Sequence, residues 1–113
     1  MSQLSTLDQL VDALVRLVAL LALDPACQWT RHFASELERA RQLREGMISS
    51  RELAELSASI RHVFGGMGSF NDYAPAVYDS ATRRYVVVPG TEDFDSVRCE
   101  VFDLALALIA STP

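Results

Sequence analysis

His62, Ser69 and Asp72 are the residue types of a nucleophilic triad, and they fall within one stretch, HVFGGMGSFNDY, at residues 62–73. A serine nucleophile needs a base within hydrogen-bond reach and a sharp turn that lifts its hydroxyl clear of the backbone. No Gly-x-Ser-x-Gly elbow surrounds Ser69. Gly65, Gly66 and Gly68 can turn backbone N–H groups inward to cradle an anion, as phosphate loops do. Phosphate loops, however, run strand, glycines, helix, whereas here a helical pattern comes first and the chain has no lysine. The plainer reading is a glycine cap and a tight turn, with Asn71 and Asp72 bonding local backbone. His62, Gly65, Gly66, Gly68, Ser69 and Asn71 are the residues a small ligand would meet there.

His32 and Glu36 have the four-residue helical spacing of metal ligands, but HExxH is absent and nothing supplies a third donor. His32 reads as a solvated helix residue, and no metal or cofactor is expected. The helical acids are offset by arginines four residues away, as in Arg41 with Glu45 and Arg51 with Glu55. No catalytic residue stands out, so a non-catalytic protein is expected.

Charge is more informative. The chain has 113 residues, a net charge of −5 and a hydrophobic fraction of 50%. That composition fits one folded domain over residues 1–113 and excludes disorder. It also argues against nucleic-acid binding driven by phosphate contacts. The acids concentrate toward the C-terminus, where Asp72, Asp79, Glu92, Asp93 and Asp95 are expected to form a rim beside Tyr73, Tyr78 and Tyr85. Acids with tyrosine anchors suit a basic protein partner. The plainer alternative is that Glu92, Asp93 and Asp95 complement a helix dipole and the rest confer solubility.

The elements that would position these residues are four helices and one hairpin. Ser5 or Thr6 opens helix one, with Asp8, Asp12 and Arg16 toward water. Residues 17–23 have no polar side and are expected to be buried all round. Asp24 and Pro25 start helix two after a very short link, with Ala26, Trp29, Phe33, Leu37, Ala40 and Leu43 inward and Glu36 on the polar face. Gly46 ends it in a left-handed conformation. A Ser49–Glu52 capping box begins helix three, with Leu53, Leu56, Ile60, Val63 and Phe64 inward, and Gly65 and Gly66 close it. From Met67 to Gly90 the chain reads as extended. Its hairpin has arms at Pro75–Tyr78 and Arg84–Val88 and a turn through Asp79–Thr82. Thr91 starts the last helix, whose inward face is Phe94, Val97, Val101, Leu104, Leu108 and Ile109. The fold class is therefore mainly α with a small β-hairpin inserted between helices three and four. Helices one and four each lose their polar side near the end, which implies either a central helix pair or a homodimer formed through those ends.

The apolar run Ala13–Leu23 is about half the roughly 20 residues of a bilayer span and contains Arg16, so no membrane crossing is expected. Asp8 and Asp12 stand where an export signal needs positive charge. With Cys27 and Cys99 read as reduced, half-buried thiols, a cytoplasmic protein is expected; a single disulfide between them is the alternative.

At FGGMGSFND, residues 64–72, the sequence resembles a family of small uncharacterised bacterial domains. In that family a helix is followed by a Gly-Gly-Met-Gly-Ser-x-Asn-Asp signature, an extended segment and a closing helix. The resemblance runs from Leu53 onward and implies a fold outline without catalytic residues. The chain departs from it through a longer, proline-bearing insertion at Ala74–Gly90. In size, acidity and lack of catalytic signature it also resembles immunity proteins that neutralise bacterial toxins. The leading expectation is such a protein, with Tyr73, Tyr78 and Tyr85 as anchors. The alternatives are a chaperone for a secreted effector, a ligand-binding or catalytic domain at the glycine turn, and a structural homodimer.

Overall fold

The computed structural model describes residues 3–46, 49–65 and 68–110. Four helices, α1 (Gln3–Leu21), α2 (Thr30–Glu45), α3 (Ser50–Arg61) and α4 (Phe94–Ala110), enclose the core. A two-stranded antiparallel hairpin, β1 (Ala76–Asp79) and β2 (Arg84–Val87), lies between α3 and α4. The chain is mainly α with a small hairpin, as the periodicities imply.

Leu7, Leu10, Leu14, Leu17 and Leu21 recur at spacings of three and four along α1, and all are buried, while Asp8, Asp12 and Arg16 meet water. The helix already includes Gln3 and Leu4, so neither Ser5 nor Thr6 caps it, and Thr6 is buried. Around the bundle, α1 packs on α2 and α4, and α3 packs on the same two. Each helix therefore occupies a corner and none is central. A corner helix leaves one side open, so the all-round burial expected for residues 17–23 does not occur. Ala19, Ala22 and Leu23 are exposed on α1's last turns and beyond, and Leu106 is exposed on α4.

Asp24 does not start α2. Its carboxylate accepts the Ala26 N–H at 3.0 Å, its carbonyl accepts the Cys27 N–H at 3.1 Å, and the chain turns until Thr30 before becoming helical. Ala26 and Trp29 consequently belong to the link, while Phe33, Leu37, Ala40 and Leu43 form the buried stripe. Glu36 is buried rather than solvated, because it faces α3 and accepts a hydrogen bond from the Ser59 hydroxyl at 2.5 Å. His32 is half-buried, with its Nε2 enclosed and unpaired among the described residues, rather than in water. Gly46 follows α2 in an extended conformation with φ −106°, so the left-handed cap is not used.

The cap of α3 forms as expected, with Ser49 Oγ accepting the Glu52 N–H at 3.1 Å. Leu53, Leu56 and Ile60 are buried. Ser57 Oγ donates to the Ala105 carbonyl of α4 at 2.5 Å, pinning the two helices together. Met67–Gly90 is not uniformly extended, since Phe70–Asp72 forms a turn of 3₁₀ helix. That turn drives Phe70 into the end of the bundle, fully buried, with ring centroids of Trp29, Phe33, Phe64, Tyr73 and Phe94 at 4.6–6.0 Å. The segment after α3 is thus an aromatic plug. Cys27 is half-buried, Cys99 is exposed rather than half-buried, and both thiols are free. Among the described residues no helix is long and apolar enough to cross a membrane.

Candidate functional site

Val77, Tyr78, Tyr85, Val86 and Val87 favour strands, and they pair in the register Val77↔Val86 and Tyr78↔Tyr85. Asp79 builds the turn. Its Oδ1 accepts the Ala81 N–H at 3.0 Å, its Oδ2 accepts the Thr82 hydroxyl at 3.0 Å, and its carbonyl accepts the Arg83 N–H at 2.8 Å. The turn closes with Arg83 at φ 57°, a left-handed conformation uncommon for arginine.

Among the described residues no strand Cα lies within 8 Å of a Cα in any of the four helices. The hairpin projects from the bundle, in keeping with extents of 54 × 26 × 21 Å. The radius of gyration is 15.3 Å, against roughly 13 Å for a compact chain of this length. The projection leaves apolar side chains uncovered on both faces. Tyr78 is 57% exposed, Tyr85 76% and Val87 63%, with Val77 and Val86 also exposed. One face carries Ala76, Tyr78, Tyr85 and Val87, and the tyrosine rings meet edge to face at 5.4 Å. At the hairpin's base that face runs into a cavity of about 230 Å³ walled by Pro75, Thr91, Phe94 and the acids Glu92 and Asp95.

The expected acid and tyrosine rim is only partly assembled. Tyr78, Tyr85 and Asp79 lie on the hairpin, and Glu92 and Asp95 at its base. Asp93 instead borders a separate groove of about 630 Å³ between α1 and α4, with Arg16, Leu20, Leu23 and Val97. Asp72 closes the glycine turn by accepting the Gly68 N–H at 2.7 Å. Tyr73 points inward. Its hydroxyl donates to Asp24 Oδ2 at 2.6 Å and its ring stacks on Phe70. Burial, and then the hydrogen bond to Asp24, push its phenol pKa well above the ordinary range.

The glycine turn is a shallow hollow of about 370 Å³ lined by Trp29, His62, Val63, Gly65, Gly68 and Ser69. Ser69 Oγ accepts the Asn71 N–H at 3.2 Å, and Asn71 Nδ2 donates to the Phe64 carbonyl at 3.0 Å. Gly68 sits at φ +75°, which only glycine adopts cheaply. No side-chain hydrogen bond joins His62, Ser69 and Asp72 to one another among the described residues. Gly66 lies outside those residues. The apolar ends of α1 and α4, through which a homodimer is one expectation, lie at opposite ends of the helix pair. The helices run antiparallel, with Arg16 bonded to Glu100 at 2.8 Å and Gln3 to the Leu108 carbonyl at 3.4 Å, so each apolar end lies beside the other helix's start.

Two features carry no local sequence signal. Arg98 looks like a solvated helix residue, yet it donates to the Phe70 and Tyr73 carbonyls at 3.2 and 2.8 Å and to Asp95 at 2.6 Å. Its guanidinium also lies 4.7 Å from the Phe94 ring centroid, so it ties the plug to α4 beneath the hairpin. Val77, Val86 and Val87 lie in short β-prone runs, and only the projection of the hairpin reveals them as surface.

A family model described as a domain of unknown function, DUF6966, matches residues 22–80, more than half of the chain. The chain belongs to that family. The matched region begins just after α1 and takes in α2, α3, the plug and β1. No curated protein and no solved structure matches the chain.

Proposed function

We propose that this chain is a protein-binding module whose projecting hairpin is the recognition element. The observation that carries this reading is the exposed Tyr78, Tyr85 and Val87 face, which stands out from the bundle. Exposed tyrosines grouped within an apolar patch are what protein interfaces bury at their centre. The carboxylates of Glu92 and Asp95 at the base of that face select a partner with basic side chains. Tyr73, held by Asp24, contributes by bracing the plug rather than as an anchor. The concrete form of the reading is an immunity protein of a bacterial cell, acting in the cytoplasm without catalysis. It would lay the tyrosine face over the basic cleft of a toxin.

The test is affinity capture from the native host with the tagged chain, its Tyr78→Ala/Tyr85→Ala variant and a Glu92→Gln/Asp95→Asn variant. Wild type is expected to retain one basic protein in stoichiometric amount. The tyrosine variant should lose it, and the amide variant should slow its association at low salt. Capture of the same protein with equal affinity by all three chains would refute the assignment.

A further inference from the structure

We infer that the outer edge of β2 takes a second copy of this chain, joining two hairpins into one four-stranded antiparallel sheet about a two-fold axis at Val86. The hydrogen-bond parity of the hairpin fixes which groups are available. Val88 N–H donates to the Pro75 carbonyl at 2.8 Å, so by alternation the pairs Val77↔Val86 and Asp79↔Arg84 bond inward. The N–H and C=O groups of Tyr85 and Val87 therefore point away from β1. They are not bonded elsewhere among the described residues.

A two-fold axis normal to the sheet at Val86 sets Val86 opposite Val86 and Tyr85 opposite Val87 of the second copy. Tyr85 and Val87 then exchange the backbone bonds that each edge leaves open. The side chains meeting are tyrosine and valine on one face and valine on the other, so the apolar surface left bare in one chain is shared. β2 is the edge that fits, because all four of its residues are exposed while β1 is half-buried at both ends.

Charge complementarity names the second copy as the occupant. The same operation carries Arg84 and Arg83, at the tip of one hairpin, alongside Val88 and Pro89 of the other, next to the segment that bears Glu92 and Asp93. Neither arginine has an ion-pair partner among the described residues, and neither has Glu92 or Asp93. Basic tip and acidic base are thus brought near each other twice in the dimer. The bundles lie at opposite ends of the new sheet. A ladder this short makes the dimer reversible. It also sets Tyr78 and Tyr85 of both copies on one face, leaving that face open.

The experiment needs only the purified full chain, so its outcome is independent of whether a foreign protein is ever captured. Light scattering and sedimentation equilibrium are run over a micromolar dilution series. Wild type should pass from monomer to dimer. Val87→Pro removes an outward N–H without touching the inward pairs, and should raise the dimer Kd at least about tenfold with unchanged helical circular dichroism. Arg83→Glu/Arg84→Glu and Glu92→Arg/Asp93→Arg should each stay monomeric alone and associate when mixed. A wild-type chain monomeric across the series would overturn the inference, leaving the edge to a strand of another protein. A dimer indifferent to Val87→Pro, or charge variants that fail to associate on mixing, would overturn it equally.

Discussion

Replacing Tyr73 by phenylalanine removes one oxygen and separates a structural tyrosine from the exposed ones. The Tyr73 hydroxyl donates to Asp24 Oδ2 at 2.6 Å, and Asp24 is only 4% exposed. The other Asp24 oxygen already holds the Ala26 N–H, so the hydroxyl's loss leaves Oδ2 without its tyrosine donor. A hydrogen bond to a charged, buried acceptor contributes about 1.5–3 kcal/mol, and a domain of this size loses roughly 4 °C of Tm per kcal/mol. Tyr73→Phe should therefore unfold about 6–12 °C below wild type. Tyr78→Phe and Tyr85→Phe, both exposed, should stay within about 0.5 kcal/mol of wild type. The sign with pH follows from the raised phenol pKa. A group that holds its proton more tightly when folded stabilises the fold fully below its unfolded pKa, near 10 for a phenol, and loses that contribution as pH rises beyond it. The alkaline decline in stability should accordingly be shallower in Tyr73→Phe. Urea denaturation followed by helical circular dichroism, repeated across alkaline pH, measures both effects. Equal stability of Tyr73→Phe and wild type, or an equal loss in Tyr78→Phe, would refute the reasoning.

Excising residues 76–87 and bridging the ends with a short glycine-serine link should leave the helical signal intact in circular dichroism, because among the described residues no strand Cα lies within 8 Å of a helix Cα; loss of cooperative unfolding would show otherwise. Phe70→Ala should destabilise by about 3–5 kcal/mol in the same denaturation assay, as it empties the centre of the plug. Ser59→Ala strips buried Glu36 of its donor and should cost about 1–3 kcal/mol, with Glu36→Gln partly restoring stability in the double variant. Gly90→Ala should lose about 1–2 kcal/mol, since Gly90 sits at φ +87° and an added Cβ would come within 3.2 Å of Leu23 Cδ1. Truncating Leu23 as well should recover only the steric share.

The helices and the hairpin are legible because their signals are local. The capping box at Ser49 and Glu52, the α2 stripe from Phe33 to Leu43, and the Asp79 turn between two short β-prone runs each lie within a few residues of what they determine. What escapes the sequence is long-range. Asp24 followed by Pro25 has the form of a helix start, but its carboxylate is committed to Tyr73, 49 residues away. Glu36 has the pattern of a solvated acid until Ser59 of α3 is placed against it. Apolar runs at the ends of α1 and α4 suggest burial on every side, whereas corner positions in a four-helix ring leave Leu23 and Leu106 in water. For the candidate site, Tyr78, Tyr85 and the acids of the hairpin base are visible in composition and spacing. That the valines beside them are surface depends on the hairpin standing clear of the bundle, and no periodicity encodes that.

The hairpin as the place where another protein chain lands is tested most directly by hydrogen–deuterium exchange on the captured complex. Peptides covering residues 76–95 should gain protection on binding, while α1, α2 and α3 exchange as they do in the free chain. Protection confined to the glycine turn at residues 62–72 or to the groove between α1 and α4, with the hairpin unchanged, would contradict it.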